Sequence, residues 1–324
     1  MKLLKLGSIV ALCAAPVIAA AQGIELKLGH VGEPGSLIGA AADEFAKNAN
    51  AKLGGKYKVV TYGSSQLGGD KEMLQKLKLG TIDMVEPSTV MSSVSDIFGV
   101  FEMPYLVKDR KHMQRIEKEL FWSKFEPEVE KKGYKVLALW ENGYRHITNN
   151  KHPINTPADL DGIKLRVPEG KWRVKMFQAY GANPSPMKFS EVFTALQTGV
   201  MDGQENPFSQ IVSAKFQEVQ KYISLTGHVY IPAYVTVGSK KWATLPADVR
   251  KVLEDTAKDM QKFVYATAEK DENELLSKIT AAGVQVNQAD KAAFVQGSKA
   301  IYEEFGKEVK GSKELIDKAL ALAK

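Results

Sequence analysis

Cysteine is all but absent from this sequence: the one residue of that type, Cys13, lies in an apolar N-terminal stretch. The rest of the chain therefore offers no disulfide, no thiol nucleophile and no thiolate metal site. Histidine is scarce as well. The five, at positions 30, 112, 146, 152 and 228, show no paired ligand spacing, so neither a metal nor a cofactor is expected. The sequence also lacks G-x-G-x-x-G, a P-loop, G-x-S-x-G and H-E-x-x-H, and no serine falls in a nucleophile motif. The expectation is a protein that is not an enzyme. A secreted enzyme stays open as a rival that would need convergent acid-base residues.

Charge of one sign is not concentrated anywhere. The net charge of +6 falls to +4 without Lys2 and Lys5, and the remainder is spread over mixed-sign helices, which does not single out nucleic acid as a partner. Long apolar runs are missing too. The stretch from Leu6 to Ile18 is shorter than the roughly 20 residues of a spanning helix, and Pro16 interrupts it.

What those first residues do have is the layout of a secretory leader: two lysines, an apolar core, then Ala19-Ala20-Ala21 before Gln22. A signal peptide is expected over 1–21, cleaved after Ala20 or Ala21. Lipid attachment at Cys13 is disfavoured by the bulky Leu12 before it. The mature chain is then an exported, periplasmic protein with no membrane insertion, and its 300 or so residues favour two lobes over a single core.

Along the mature chain, strand and helix signals alternate. Ile24–His30 alternates apolar and polar residues, as a strand does. Leu37, Ala41, Phe45 and Ala49 recur at helical spacing up to Gly54-Gly55. A strand over Tyr57–Tyr62, a helix from about Lys71 to Leu79 and a short strand from Ile82 follow. The same order returns with a strand at Gly162–Val167 and helices at Lys171–Tyr180 and Ser190–Thr198. Two joints read L-x-x-G-x-x-D, Leu77 to Asp83 and Leu196 to Asp202, each a helix ending on a permissive glycine with a strand beginning at once. Their matching positions point to two related α/β lobes with mostly parallel sheets. Tyr134–Trp140 and Ile231–Val237 are apolar strands near places where the chain could cross between lobes. An unbroken helical pattern runs from Pro246 to about Ala281, and helices are expected over Lys291–Val309 and Ser312–Lys324.

Two arginines have unusual settings. Arg166 interrupts the apolar strand Ile163–Val167 just before Pro168, and Arg145 follows the strand end Trp140-Glu141-Asn142-Gly143-Tyr144. The C-terminal end of a parallel strand is where open α/β sheets bind ligands, and a guanidinium matches a carboxylate with two parallel hydrogen bonds. A salt bridge from Arg166 to Asp159, Asp161 or Glu169 is the other reading of the same residues.

Asp159 to Pro168 (DLDGIKLRVP) resembles the central signature of the DctP-type substrate-binding proteins of TRAP transporters. So do Phe189 to Pro207, Ser65 to Gly69, and the Gly80-to-Asp83 joint. Order and spacing fit from Leu26 to about Leu245. The resemblance implies an α/β, two-lobed periplasmic-binding-protein-like fold with hinge strands and a long lobe-bridging helix. One lobe would comprise 22–143 and about 232–265, the other 144–231 and about 266–324, with the helix 246–281 spanning both.

It further implies capture of a small organic acid by hinge closure and delivery to the membrane subunits of a TRAP transporter. Arg166 would grip the ligand carboxylate, Arg145 would be a second basic contact, Asn206 an amide hydrogen-bonding to the ligand and Phe189 an apolar wall. Trp172 is a candidate aromatic floor. In the first lobe His30, Gln66, Asp70, Glu86 and Ser88 match positions that commonly face the ligand. The aromatic side chains of Trp140, Trp172, Phe189, Phe208 and Tyr234 near these segments point to a compact, partly apolar acid. An ABC-type binding protein and a periplasmic ligand-sensing subunit share the two-lobe design. Dicarboxylates, 2-keto and 2-hydroxy acids, sugar acids, pyroglutamate-like and aromatic acids all offer the same carboxylate.

Overall fold

The computed structural model describes residues 23–324, so the expected leader and Cys13 lie outside the described residues. The described residues form nine strands in one connected sheet: β1 (Ile24–Gly29), β2 (Tyr57–Tyr62), β3 (Met84–Val85), β4 (Tyr134–Asn149), β5 (Lys164–Val167), β6 (Asn183–Pro186), β7 (Gly203–Asn206), β8 (Tyr222–Gly238) and β9 (Gln285–Gln288). The order is β2-β1-β3-β8-β4-β7-β5-β6, with β9 alongside β8.

Two strands are far longer than their sequence signals. β4 runs nine residues beyond Trp140, and β8 begins at Tyr222 rather than Ile231. They pair antiparallel along their whole length. At one end, around Lys135↔Val237, this ribbon carries β3, β1 and β2. At the other, around Thr148↔Ile223, it carries β7, β5, β6 and β9. Each half-sheet is parallel within itself, and the antiparallel pairs lie on the ribbon. The ribbon is irregular, with register shifts at Val136/Ala138, Glu141/Gly143 and Arg145/Ile147; such bulges bend a strand and re-aim its side chains.

The repeated joint has the same bonding in both halves. After the helix Asp70–Leu79, Gly80 takes the left-handed conformation (φ 77°), and the Asp83 carboxylate accepts from the Lys27 N–H of β1 at 2.8 Å. After the helix Val192–Gln197, Gly199 does likewise (φ 72°), and Asp202 accepts from the Lys164 N–H of β5 at 2.9 Å. The backbone N–H groups of the two aspartates donate in turn to the carbonyls of Lys27 and Lys164. Each buried aspartate thus ties two neighbouring strands through the backbone, which explains why the sequence carries the motif twice.

The helix Leu37–Lys52 starts at Ser36, whose hydroxyl accepts from Gly39 N, and buries Leu37, Ala41, Phe45 and Ala49 on one face. Phe45 meets Trp140 edge-on at 5.8 Å, and Trp140 donates from its indole to the Ala257 carbonyl. Other expected elements differ in detail. The long helix is two, Ala247–Asp259 and Gln261–Ala281, parted only at Met260, whose N–H still donates to Thr256. Its first part packs under Trp140 with Phe45; the second adds Val264 and Ala268 to that cluster and carries Leu275 and Ile279 into the larger cluster that contains Leu165 and Val167 of β5. The expected helix 291–309 is broken at Ser298, whose hydroxyl is drawn to the Phe294 carbonyl and to the Tyr180 hydroxyl. Residues 189–191 form a 3-10 turn rather than α-helix.

Replacing Asp83 or Asp202 by alanine leaves a strand N–H unpartnered, and each change should cost about 1–3 kcal/mol. Urea unfolding is the measurement, and an unchanged midpoint in both variants would refute this account of the joint.

Candidate functional site

β5 lies between β6 and β7, and its alternation turns Leu165 and Val167 to one face and Arg166 to the other. Arg166 is 3% exposed. Its Nε and Nη2 both donate to the Met187 carbonyl, at 3.0 and 2.6 Å, and Phe189 lies 5.9 Å below the guanidinium. Among the described residues it makes no ion pair: Asp159 instead accepts from the backbone of Asn155 and Thr156, and Glu169 does not reach it. Burial and the neighbouring Arg145 pull its pKa down to about 9, so it remains a cation at neutral pH. A buried cation with only a neutral carbonyl as partner is an incomplete pair.

Arg145 is placed differently from expectation. It lies on β4 and forks onto Glu205 of β7, with Nη2–Oε1 at 2.9 Å, a bond from Nε to Oε2, and a further bond to the Glu205 carbonyl. Glu205 also accepts from Arg173 at 2.7 Å and contacts His228 Nε2 at 3.0 Å. Burial acts to raise its pKa, but the two guanidiniums outweigh burial and hold the carboxyl well below the usual range. Burial pushes His228 down to about 4, so the ring is neutral; the Thr226 hydroxyl then donates to Nδ1 while Nε2–H donates to Glu205. Sequence reasoning missed this hub, although Glu205 lies inside a quoted motif. Arg145 supplies positive potential to the site while its donors serve Glu205.

Arg166 and Arg145 line a small cavity of ≈ 30 Å³ between the two half-sheets, with Asn206, Phe189 and Pro168 from the β5 side. Val31, Ile38, Asp70 and Ser88 close it from the β1 side. Asn142, at the Glu141/Gly143 register shift, reaches the cavity and donates to the Ser88 hydroxyl at 3.1 Å. Asn206 donates to Gln204 of its own strand. Gln210 also lines the cavity and carried no sequence signal. Two bonds cross between the halves beside it: Leu37 N–H to the Ser209 hydroxyl at 2.7 Å, and Lys188 to Glu72 at 2.6 Å.

Four expected site residues are elsewhere. Trp172 is fully buried, edge-on to Phe305 at 4.5 Å and pressed by Gly99, where an added Cβ would come within 2.5 Å of the indole; it packs helices rather than flooring the site. His30 and Gln66 line a separate surface cavity with Glu33 and Asp43. Glu86 is fully buried behind the lining, with neither oxygen hydrogen-bonded; burial, then the nearby Asp70, raises its pKa well above normal. Trp140 and Tyr234 belong to the core, and Phe208 lines a larger cavity of ≈ 600 Å³ on another side of the ribbon, beside Tyr144 and His146. That larger space holds no buried cation with free donors, so the Arg166 cavity is the candidate site.

A cleft between two α/β halves joined by a two-stranded ribbon, with a partnerless buried arginine in it, defines a ligand-capturing binding protein. Residues 28–308 match the family model described as bacterial extracellular solute-binding protein, family 7 (DctP), and the chain belongs to that family. The 2,3-diketo-L-gulonate-binding periplasmic protein of Escherichia coli is 34% identical over 256 residues, 78% of each chain. The TRAP periplasmic solute-binding protein of Polaromonas sp. JS666, solved bound to D-erythronate, superposes with a TM-score of 0.88 at 34% identity, covering 92% of this chain and 98% of that one. That of Sulfurospirillum deleyianum, solved with succinate, superposes at 0.87 and 32% identity, covering 92% and 99%. The chain is accordingly a TRAP-type solute-binding protein rather than an enzyme. No helix among the described residues is long and apolar enough to cross a membrane.

Replacing Glu205 by glutamine strands Arg145 and leaves Arg173 with only Glu102, 3.7 Å from its Nε, and the loss should be about 3–5 kcal/mol of stability, read from chemical denaturation. A loss below 1 kcal/mol would contradict its role as their shared counter-charge.

The buried acids give a pH dependence with a definite sign. Burial pushes Asp70, Glu102 and Glu141 each up to about 7, from ordinary values of 3.8 or 4.5. Between those limits these acids hold protons that the unfolded chain has released, so their contribution to stability falls as pH rises from about 5 to about 8. His146 and His228, which burial lowers to about 3 and about 4, contribute in the opposite sense up to about 6.5. Below that window the lowered pKa of Glu205 acts in the opposite sense. Asp70→Asn removes one titrating group and should flatten the slope by up to about 1.4 kcal/mol per pH unit. Unfolding midpoints at pH 5, 6, 7 and 8 test this, and an unaltered slope in the variant would refute it.

Proposed function

We propose that Arg166 grips the carboxylate of the cognate acid, that Asn206 and Phe189 complete its seat, and that Arg145 supports it electrostatically. The observation that carries this reading is a buried guanidinium with no anionic partner, its remaining donors toward a cavity that both halves of the molecule wall in. A volume of ≈ 30 Å³ suits two or three waters, since one needs about 10–15 Å³ of probe-occupied space. The halves must therefore part to admit an organic acid and re-form contacts such as Leu37–Ser209 and Glu72–Lys188 on closing.

The halves correspond to 22–143 with about 232–265, and 144–231 with about 266–324, the paired helices from Ala247 to Ala281 serving both. Residues 1–21 export the chain to the periplasm, where the loaded, closed form delivers its acid to the membrane subunits of a TRAP transporter. The relatives solved with D-erythronate and succinate share a carboxylate, the group this geometry recognises.

A thermal-shift screen of carboxylic acids identifies binders, because a ligand at 100 times its Kd stabilises the fold by about 2.7 kcal/mol. For the strongest of them, Arg166→Ala should cost about 2–5 kcal/mol of affinity by calorimetry, since the carboxylate is buried without its partner. That is roughly 30-fold to several thousand-fold in Kd. Wild-type affinity in Arg166→Ala would overturn the clamp.

A further inference from the structure

The ≈ 600 Å³ cavity on the other side of the ribbon has the volume of a small-molecule site, for which about 300–1,000 Å³ is usual. Its walls are apolar and aromatic, formed by Tyr105, Tyr144, Phe208, Leu225 and Leu276. Of the aromatic residues expected beside the ligand, only Phe189 lines the Arg166 cavity, whereas Phe208 is here. The two tyrosines are fixed by bonds to backbone. Tyr105 takes the left-handed conformation (φ 58°), a costly one for a bulky side chain. Two carbonyls of β8 hold it there: its N–H donates to His228 at 2.9 Å and its hydroxyl to Thr226 at 3.1 Å. The Tyr144 hydroxyl donates to the Lys108 carbonyl at 2.8 Å.

The polar groups of the lining gather at Gly227, between those two carbonyls. Gly227 is also left-handed (φ 50°), and its N–H donates to His146 Nδ1 at 3.1 Å. A Cβ at this position would lie 3.8 Å from both His146 Cε1 and Lys291 Nζ, so imidazole and ammonium approach the same bare stretch of backbone. The imidazole stacks on Phe208 at 4.5 Å. Burial, then His228 and Lys291, push its pKa down to about 3, so the ring is neutral. With Nδ1 accepting, the ring proton is on Nε2, which has no partner among the described residues.

Lys108 is the second cation of the lining, and both lysines are exposed. Among the described residues neither forms an ion pair. Their sequence neighbours Asp109 and Asp290 are occupied as helix caps, accepting from His112 and Ala293 N–H groups. The one acid of the lining, Glu272, is bound to Arg110 at 3.0 Å. The uncommitted charge is therefore positive, and it stands beside an aromatic wall.

We propose that this cavity is a second ligand site, which takes an aromatic carboxylate. The ring packs among Tyr105, Tyr144 and Phe208, and the carboxylate meets Lys291, Lys108 and the Nε2–H of His146. The site is independent of the Arg166 clamp and shares no lining residue with that cavity.

Three molecules with one body separate charge from apolar fit: 3-phenylpropionate, 3-phenylpropan-1-ol and 3-phenylpropylammonium. In calorimetry on Arg166→Ala, whose first cavity has lost its cation, 3-phenylpropionate should bind saturably and about tenfold more tightly than the alcohol. The ammonium should bind more weakly still, and the same Kd for the carboxylate should appear in wild type. Lys108→Gln combined with Lys291→Gln, both at exposed positions, should bring the carboxylate down to the level of the alcohol. Leu276→Trp, which fills the cavity from the helix Gln261–Ala281, should weaken the carboxylate and the alcohol alike, by about tenfold or more.

The inference is overturned if 3-phenylpropionate shows no saturable binding up to about 10 mM, or if the alcohol or the ammonium matches it. It is equally overturned if the lysine pair and Leu276→Trp leave its Kd unchanged. Binding present in wild type and absent in Arg166→Ala would assign the carboxylate to the first cavity and refute a second site, while leaving the clamp intact.

Discussion

One buried carboxylate organises the ligand-facing half of the molecule. Glu205 on β7 gathers Arg145 from β4, Arg173 from the helix Lys171–Ala179 and His228 from β8. Two guanidiniums in a dry interior would repel each other and any third; one acid between them, with a neutral imidazole beside it, makes their burial tolerable. Glu102 lies on the far side of Arg173, 3.7 Å from its Nε, and burial keeps it protonated below a pKa of about 7, so in that form the group holds a positive surplus next to Arg166. The arginine that faces the cavity thus stands in a field that already favours an anion, while its own orientation is set by the uncharged Met187 carbonyl. Positioning by a carbonyl leaves the charge uncommitted, which a carboxylate partner would not.

The second constraint is the β4–β8 ribbon. Because both strands cross the whole molecule, the halves are joined through a continuous ladder rather than through a loose linker, and the ladder's irregularities fall where the cleft needs them. The shift at Glu141/Gly143 brings Asn142 to the cavity. On the same stretch, Glu141 accepts two bonds from Arg110, at 2.8 and 2.7 Å, and one from the Tyr230 hydroxyl, while Arg110 also reaches Glu272 of the long helix. Ribbon, helix Arg110–Ile116 and helix Gln261–Ala281 therefore meet at one ion-pair cluster beside the crossing.

Much of this architecture was legible in the sequence. Alternation gave β1 and β2, helical spacing gave Leu37–Lys52, and the twice-used L-x-x-G-x-x-D joint marked two structurally equivalent places. The length of β4 and β8 was not legible, because their far ends, His146–Asn149 and Tyr222–Thr226, only alternate single apolar residues (Ile147, Ile223, Leu225) with polar ones and carry no apolar run. In the site, Arg166 stood out as a charge inside an apolar strand; Phe189 and Asn206 reach the same cavity through the motif that contains them, and Asp70 and Ser88 reach it as positions matched by the resemblance alone. Trp172 failed because an aromatic in a helix next to a site looks the same whether it faces ligand or core. The role of Glu205 was hidden for a general reason: a carboxylate that accepts from three side chains distant in sequence leaves no local pattern.

The paired aspartates Asp83 and Asp202 have an evolutionary consequence. Both tie their sheets at the starting ends of β3 and β7 through bonds to backbone, with Lys241 and Lys151 pairing their outer oxygens, while the candidate cavity lies at the opposite, finishing ends of the parallel strands. A scaffold secured at its base chiefly by bonds to backbone leaves the rim free to change. Loops and side chains there can be exchanged during divergence without unzipping the strands that present them, so one frame can be retuned from one nutrient to another by altering only its mouth.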